Sequence, residues 1–123
     1  MRMNNAKILN AADATATQHS LVIDASQVFS ASFQITSSSG SNAGSLQVES
    51  SNDPANGLAT DSAGNLIPVN WSSLGSAATV TSGATKQIDV PQSSYAGYRW
   101  LRVTWTPSAG AGTVTVNAVT LGQ

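Results

Sequence analysis

Few side chains in this sequence could carry out catalysis. The chain has 123 residues, with one histidine, His19, and six acidic residues. A nucleophile needs a base held against it, but His19 lies in a polar stretch, and Ser20 beside it would point to the opposite side of a strand. Glycoside hydrolysis needs two carboxylates about 5–9 Å apart, and Glu49 is the only glutamate. We therefore predict no catalytic residues and no enzyme activity, with a hydrolase built on Glu49 as the weakest alternative.

The turn-rich segment 52–65 (NDPANGLATDSAGN) holds the residues that could bind a metal ion. Asp53, Asn56 and Asp61 could offer oxygen ligands to calcium, but their spacing lacks the closing glutamate of an EF-hand. Hydrogen bonds that stabilise turns account for the same residues. The chain has no cysteine, which excludes disulfides and thiolate zinc sites. We predict no metal and no cofactor, and calcium in this segment stays an open alternative.

The segment 98–105 predicts a strand with two unlike faces, because its side chains alternate in character with a period of two. One face carries Leu101, Val103 and Trp105, and the other carries Tyr98, Trp100, Arg102 and Thr104. Aromatic residues and arginine are enriched at protein interfaces. The second face is therefore a candidate binding surface, unless a long loop or the N-terminal segment covers it. The candidate interface residues are Tyr98, Trp100, Arg102, Ile8 and Leu9.

The elements that position these residues are predicted to be strands. No segment of ten or more residues has helical periodicity, and about eight short strands separated by turn signals favour an all-β antiparallel sandwich or barrel. The predicted strands are residues 20–24, 28–36, 45–50, 66–71, 77–81, 86–90, 98–106 and 113–121. The predicted core positions include Phe29, Ala31, Phe33, Ile35, Leu46, Val48, Trp71 and Trp105.

The last predicted strand contains a change of phase. Its apolar set moves from Val114, Val116 and Ala118 to Val119 and Leu121. A β-bulge would produce such a change. At the other end of the chain, residues 1–18 are rich in asparagine, alanine and threonine with one short apolar patch, Ile8 and Leu9, and we interpret them as a flexible arm or an edge strand. Residues 19–123 would form the single β-sandwich domain.

The composition restricts the partners. Charged residues make up 9% of the chain, against about 25% in an average soluble domain. The surface must therefore consist of neutral hydroxyl and amide groups, which allow copies to pack without strong repulsion. Five scattered basic residues form no stripe that would bind nucleic acid. The N-terminus lacks the apolar region of a signal peptide, and no apolar run approaches about 18 residues, so we expect synthesis in the cytoplasm and no membrane association.

Three sequence motifs resemble a pattern found in small virion proteins of tailed bacteriophages. They are residues 46–54 (LQVESSNDP), the triplet Val69, Asn70 and Trp71, and residues 98–112 (YRWLRVTWTPSAGAG). The chain departs from the pattern by Glu49, Ser50 and Ser51 before Asn52, and by its polar N-terminal segment. The resemblance implies a jelly-roll-like sandwich and a capsid decoration, or cement, protein. It supplies no catalytic residues.

The function implied by this resemblance fits the composition. The protein would bind the assembled major capsid protein, stabilise the head, and act as a homo-oligomer, either a dimer or a trimer. Its location would be the capsid surface of the virion, after synthesis in the host cytoplasm. The alternative is a receptor-binding or carbohydrate-binding module of a tail or fibre, in which Tyr98 and Trp100 would stack on sugar rings.

Overall fold

The computed structural model describes residues 2–26, 28–38, 43–80, 86–91, 99–109 and 112–122. These residues form strands, connecting turns and one short 3₁₀ helix at Ala55–Gly57. The strands are β1 Arg2–Asp13, β2 Gln18–His19, β3 Ile23–Asp24, β4 Val28–Ser37, β5 Ala43–Ser51, β6 Ala59–Thr60, β7 Leu66–Ile67, β8 Ser72–Ser73, β9 Ala78–Val80, β10 Lys86–Pro91, β11 Trp100–Ala109 and β12 Thr113–Gly122.

The strands form two principal antiparallel sheets. The first sheet has the order β1-β12-β4-β10, and the second has the order β2-β11-β5-β8. In the second sheet β3 also pairs with β11, and β9 also pairs with β5. The pairs β2/β3 and β8/β9 therefore each act as one interrupted strand, and each sheet has four strand positions. A separate small hairpin, β6/β7, lies between β5 and β8 in the chain.

The connections between the sheets define a jelly roll. Along the chain, β1 lies in the first sheet, β2/β3 in the second, β4 in the first, and β5 and β8/β9 in the second. The chain then returns to the first sheet with β10, to the second with β11, and to the first with β12. This is the double Greek-key arrangement of eight-stranded jelly rolls. The predicted all-β, jelly-roll-like antiparallel sandwich of about eight strands is confirmed.

The core lies between the two sheets and is made by alternate residues of each strand. The largest fully buried side chains include Phe33 and Ile35 of β4, Leu46 of β5, and Leu101, Val103 and Trp105 of β11. The indole N–H of Trp105 donates to the carbonyl oxygen of Ala14 at 3.1 Å, so its polar atom is satisfied. The predicted inward faces of these three strands are confirmed. The side chain of Phe29 lies outside the described part of the structure.

Two predictions about the core are wrong. Trp71 is half-buried rather than enclosed between the sheets, because it follows β7 in a loop on the outside of the second sheet. In β12 the buried positions alternate without interruption from Val114 to Thr120. Val119 and Leu121 therefore lie on the outer face of the first sheet, and the pairing of β12 with β4 has no bulge between Val114 and Leu121.

The N-terminal segment contains the irregularities instead. β1 pairs with β12 from Arg2 to Asp13, with shifts of register between Lys7 and Leu9 and between Leu9 and Ala12. Ala11, within the second irregularity, has a φ of 48°, a left-handed conformation that is unusual for a residue with a β-carbon. Of the two alternatives for this segment, the structure has the edge strand at residues 2–13. A flexible arm at residues 1–18 stays a prediction.

Candidate binding surfaces on the outer faces

The outer face of the second sheet carries a cluster of interacting polar and aromatic side chains. It consists of His19, Glu49, Trp71, Arg102 and Thr104, which we call the outer cluster. Arg102 lies directly opposite Glu49 in the pairing of β11 with β5, and Thr104 lies directly opposite His19 in the pairing with β2. Side chains directly opposite each other share a face of the sheet. Strand register therefore brings together residues that are far apart in the sequence.

The ion pair of the outer cluster is largely, but not fully, buried. The Nε of Arg102 donates to Oε1 of Glu49 at 2.7 Å, and the two side chains are only 14% and 19% exposed. The guanidinium carbon of Arg102 lies 4.3 Å from the ring centroid of Trp71, in a stacked cation–π contact. The indole N–H of Trp71 donates to the carbonyl oxygen of Pro68 at 3.1 Å. Arg102 is thus held between a carboxylate and an indole of its own chain.

Burial and neighbouring charges shift the pKa values of both Glu49 and His19, and hydrogen bonds contribute to the shift of Glu49. Burial raises the pKa of Glu49, but hydrogen bonds from Thr104 and Arg102 and the charge of Arg102 outweigh burial and hold that pKa below its ordinary value. Burial, together with the charge of Arg102, lowers the pKa of His19 against the opposing effect of Glu49. His19 is therefore neutral at pH 7, and Glu49 is a weak base.

The outer cluster is not arranged as a nucleophile with its base. The hydroxyl of Thr104 donates its hydrogen to Oε1 of Glu49 at 2.6 Å. Nδ1 of His19 lies 2.9 Å from the same hydroxyl oxygen, so the ring nitrogen must donate rather than accept. Thr104 is also buried. The geometry supports a role for these side chains in fixing β2, β5 and β11 to one another.

The structure places the predicted interface residues in different environments. Ile8 and Leu9 are buried in the core and leave the set of exposed candidates, because β1 places them between the sheets. Arg102 belongs to the outer cluster. Trp100 is half-buried, its indole N–H donates to the carbonyl oxygen of Asp53 at 3.2 Å, and the guanidinium carbon of Arg99 lies 4.9 Å from its ring centroid. Tyr98 lies outside the described residues.

The two acids of the turn-rich segment, Asp53 and Asp61, both accept hydrogen bonds from backbone N–H groups. Asp53 accepts hydrogen bonds from the backbone N–H groups of Val69 and Asn70 and from Nδ2 of Asn70, at 2.7 to 3.0 Å. Asp61 accepts from the backbone N–H groups of Ala63 and Asn65. Asp53 thereby ties the end of β5 to the loop that carries Trp71. Among the described residues, no group of three or more His, Cys, Asp or Glu side chains could hold a metal ion.

A depression of about 700 Å³ lies beside the hydrogen bonds between Asp53 and Asn70. One of its walls is the end of β5 and the residues that follow, and the other is the loop between β7 and β8. Its lining residues are Ser50, Ser51, Asn52, Asp53, Val69, Asn70, Trp71 and Ser72. The depression therefore combines one aromatic side chain with hydroxyl and amide groups.

The outer face of the first sheet has a different character. A smaller depression of about 400 Å³ there is lined by Asn5, Ala6, Lys7, Ser32, Gln34, Gln87, Asn117 and Val119. Beside it, Met3 is 71% exposed and lies opposite Leu121 across the β1–β12 pairing, and Val119 lies opposite Asn5. We call Met3, Val119 and Leu121 the apolar strip.

The sequence did not reveal the outer cluster or the apolar strip. Alternation placed Glu49 and Arg102 on the outer faces of their strands, but only the register of β5 against β11 makes them a pair. Trp71 and the residues Val119 and Leu121 were predicted to face inward because they are apolar. No helix in the part of the chain that the structure describes is long and apolar enough to cross a membrane.

Comparison with known proteins finds similarity in structure only. No protein-family model matches the chain, and no curated protein matches it. The solved structure of the SPBc2 prophage-derived protein YomS has a TM-score of 0.56 and 12% sequence identity, over 98% of this chain and 95% of YomS. The PBSX exported protein XepA has a TM-score of 0.66 and 13% identity over 98% of this chain, which spans 37% of XepA. The chain therefore shares its fold with phage-derived proteins.

Proposed function

We propose that this protein is a bacteriophage virion protein that decorates the capsid by binding the assembled major capsid protein and stabilising the head. Jelly rolls are a common architecture of viral capsid domains, and the two solved structures described above, YomS and XepA, are phage-derived. The observation that carries the proposal is the apolar strip, because Met3, Val119 and Leu121 lie side by side on an outer sheet face.

The first sheet offers a suitable docking surface. Around the apolar strip its outer face bears neutral amide and hydroxyl groups, such as those of Asn5, Gln34 and Asn117. Interfaces between separately folded proteins are about as apolar as the rest of a protein surface, with the apolar residues at their centre. Because few of its residues are charged, many copies can bind a shell without strong mutual repulsion.

The stabilising effect on the head follows from linkage. A protein that binds the assembled shell but not free subunits shifts the assembly equilibrium towards the shell. Dimers or trimers would bridge neighbouring capsomers, and we include such a homo-oligomer in the proposal. Light scattering coupled to gel filtration measures the oligomeric state. A monomer at all concentrations would contradict the proposed homo-oligomer.

Binding to heads tests the proposal. The purified protein is sedimented with heads assembled from the major capsid protein encoded in the same genome. We expect wild-type protein to pellet with the heads, and Val119→Glu to bind at least tenfold more weakly. Thr106→Glu, which adds the same charge to the outer face of the second sheet, is the matched control and should bind like wild type. Absence of wild-type binding, or equal binding by Val119→Glu, would overturn the proposal.

The N-terminal strand provides a second test of the docking face. Deletion of residues 2–5 removes Met3 and leaves the buried residues Ile8 and Leu9 in place. We expect this truncated protein to fold and to bind heads more weakly. Unchanged binding would show that Met3 does not contribute to docking.

The alternative function, a tail or fibre module that binds sugars through Tyr98 and Trp100, gains no support at Trp100. Its indole N–H is bonded to Asp53 and its ring is stacked with Arg99. A sugar needs an accessible aromatic face with free polar groups beside it, and Trp100 lines neither of the two depressions described above.

A further inference from the structure

Trp71 and the depression of about 700 Å³ beside it form a surface that the decoration role does not use. They lie at the end of β5, on the outer side of the second sheet, whereas the proposed docking face belongs to the first sheet. A decoration protein bound through its first sheet would keep this depression accessible. The features of the depression define the kind of ligand that it would accept.

The indole of Trp71 is held in place before any ligand binds. One side of its ring stacks on the guanidinium of Arg102 at 4.3 Å, and Arg102 is fixed by its ion pair with Glu49. The N–H at the edge of the ring is bonded to the carbonyl oxygen of Pro68. Trp71 is only partly buried, and it lines the depression. A preorganised aromatic face loses little conformational entropy on binding, and such faces stack on the C–H faces of sugar rings.

The polar groups of the depression are uncharged or already paired. Asp53 is the one carboxylate in the lining, and its oxygens accept three hydrogen bonds from Val69 and Asn70. These bonds lower the pKa of Asp53. The lining has no basic side chain for a phosphate or a carboxylate, and the Asp53 carboxylate is buried and already accepts three hydrogen bonds, so the depression favours a neutral ligand.

The remaining groups provide both donors and acceptors. Oδ1 of Asn52 accepts from the backbone N–H of Arg99 at 2.9 Å, which leaves its Nδ2 group to donate to a ligand. Nδ2 of Asn70 donates to Asp53, which leaves its Oδ1 to accept. Ser72 is exposed at the rim and adds a hydroxyl. Sugar hydroxyls both donate and accept hydrogen bonds, so they complement this combination.

We propose that the depression beside Trp71 binds a neutral saccharide, with the sugar ring stacked on Trp71 and its hydroxyls bonded to Asn52, Asn70 and Ser72. This inference goes beyond the decoration role and does not depend on it. The depression on the first sheet has amide and hydroxyl groups but no aromatic residue in its lining, and we do not assign it a ligand.

A glycan array that carries neutral, sialylated and phosphorylated oligosaccharides tests the proposal. We expect the wild-type protein to bind one or more neutral glycans, and titration with the same free oligosaccharide to give a saturable change in tryptophan fluorescence. Trp71→Ala should weaken binding at least tenfold. Trp71→Phe, which keeps an aromatic face, should retain part of it.

Two further variants separate binding from folding. Asn52→Ala leaves Trp71, Arg102 and Glu49 in place, and we expect it to weaken binding at least fivefold without changing the melting temperature by more than a few degrees. Thr106→Ala, at the far end of the same sheet face, should bind like wild type. No binding by the wild type, binding only to charged glycans, or full binding by both Trp71→Ala and Asn52→Ala would overturn the proposal. Head binding is measured separately, so the two proposals fail independently.

Discussion

The two outer faces of this sandwich share a neutral, hydroxyl-rich and amide-rich composition, but they use their distinctive residues in opposite ways. On the second sheet, Arg102 contacts both Trp71 and Glu49, and its ion pair with Glu49 links β11 to β5. On the first sheet, Met3, Val119 and Leu121 lie at the surface. Aromatic and arginine residues are common at interfaces, yet here Trp71, Trp100 and Arg102 contact other groups of the same chain. The docking surface that we propose consists of Met3, Val119 and Leu121 instead.

The largest loss in the free energy of unfolding is expected for a substitution in the core between the two sheets. Trp105 is fully buried, and its ring lies against Gly44, where an added β-carbon would come within 2.7 Å of the indole. We expect Trp105→Ala to lower the free energy of unfolding by about 3–5 kcal/mol, measured by chemical denaturation. A loss below 1 kcal/mol would show that the core is not packed around this residue.

Trp100 on the same strand provides the direct contrast. Its side chain is half-buried on the outer face and makes one hydrogen bond, to the carbonyl oxygen of Asp53. Trp100→Ala should therefore cost about 2 kcal/mol, clearly less than Trp105→Ala. Equal losses for the two variants in the same denaturation experiment would mean that the inner and outer faces of β11 are assigned wrongly.

The ion pair distinguishes the two outer faces. Glu49→Gln removes the charge that pairs with Arg102, and hydrogen bonds to charged groups contribute about 1.5–3 kcal/mol. We expect a loss of about 1–2 kcal/mol in the free energy of unfolding, because the pair is partly exposed. Gln87→Ala, a change at an exposed position on the outer face of the first sheet, should cost less than about 0.5 kcal/mol. Similar losses at both positions would contradict the contrast between the faces.

The smallest expected effect is the pH dependence of His19. Its pKa is below 6.5 in the folded protein, so folding favours the neutral ring. The stabilisation that results from the neutral ring is fully present above pH 6.5, the ordinary pKa of histidine. It is lost as the pH falls from 6.5 towards the lower pKa of His19 in the folded protein. Thermal unfolding between pH 7.5 and 5 should show a smaller decrease for His19→Gln than for wild type. The pKa of Glu49 is also lowered, but its contribution is lost only below about pH 4.5. Identical pH profiles of wild type and His19→Gln above pH 5 would refute the lowered pKa of His19.

Much of the fold could be predicted because a period of two reports directly on the faces of a strand. The alternation correctly predicts that four large side chains are buried, those of Phe33, Leu46, Leu101 and Trp105. Topology also follows in part, because short strands between turns leave few all-β arrangements.

The errors have a common physical cause. Val119 and Leu121 are apolar, but their position depends on the continuous pairing of β12 with β4, which the sequence does not display. Trp71 lies in a loop, where side-chain direction depends on tertiary contacts such as the tie between Asp53 and Asn70. The strand β1 is rich in asparagine and alanine, which have low strand propensity, and its pairing with β12 overrides that preference. Patterns within a short segment did not predict the direction of a side chain where strand pairing or contacts with distant residues determine it.

The most direct measurement is a single-particle reconstruction of heads decorated with this protein. It should show the outer face of the first sheet against the shell, with Met3, Val119 and Leu121 in the contact, and Trp71 directed away from it. Density in which the outer face of the second sheet meets the shell, or heads that carry none of the added protein, would contradict the proposed decoration role and its docking surface.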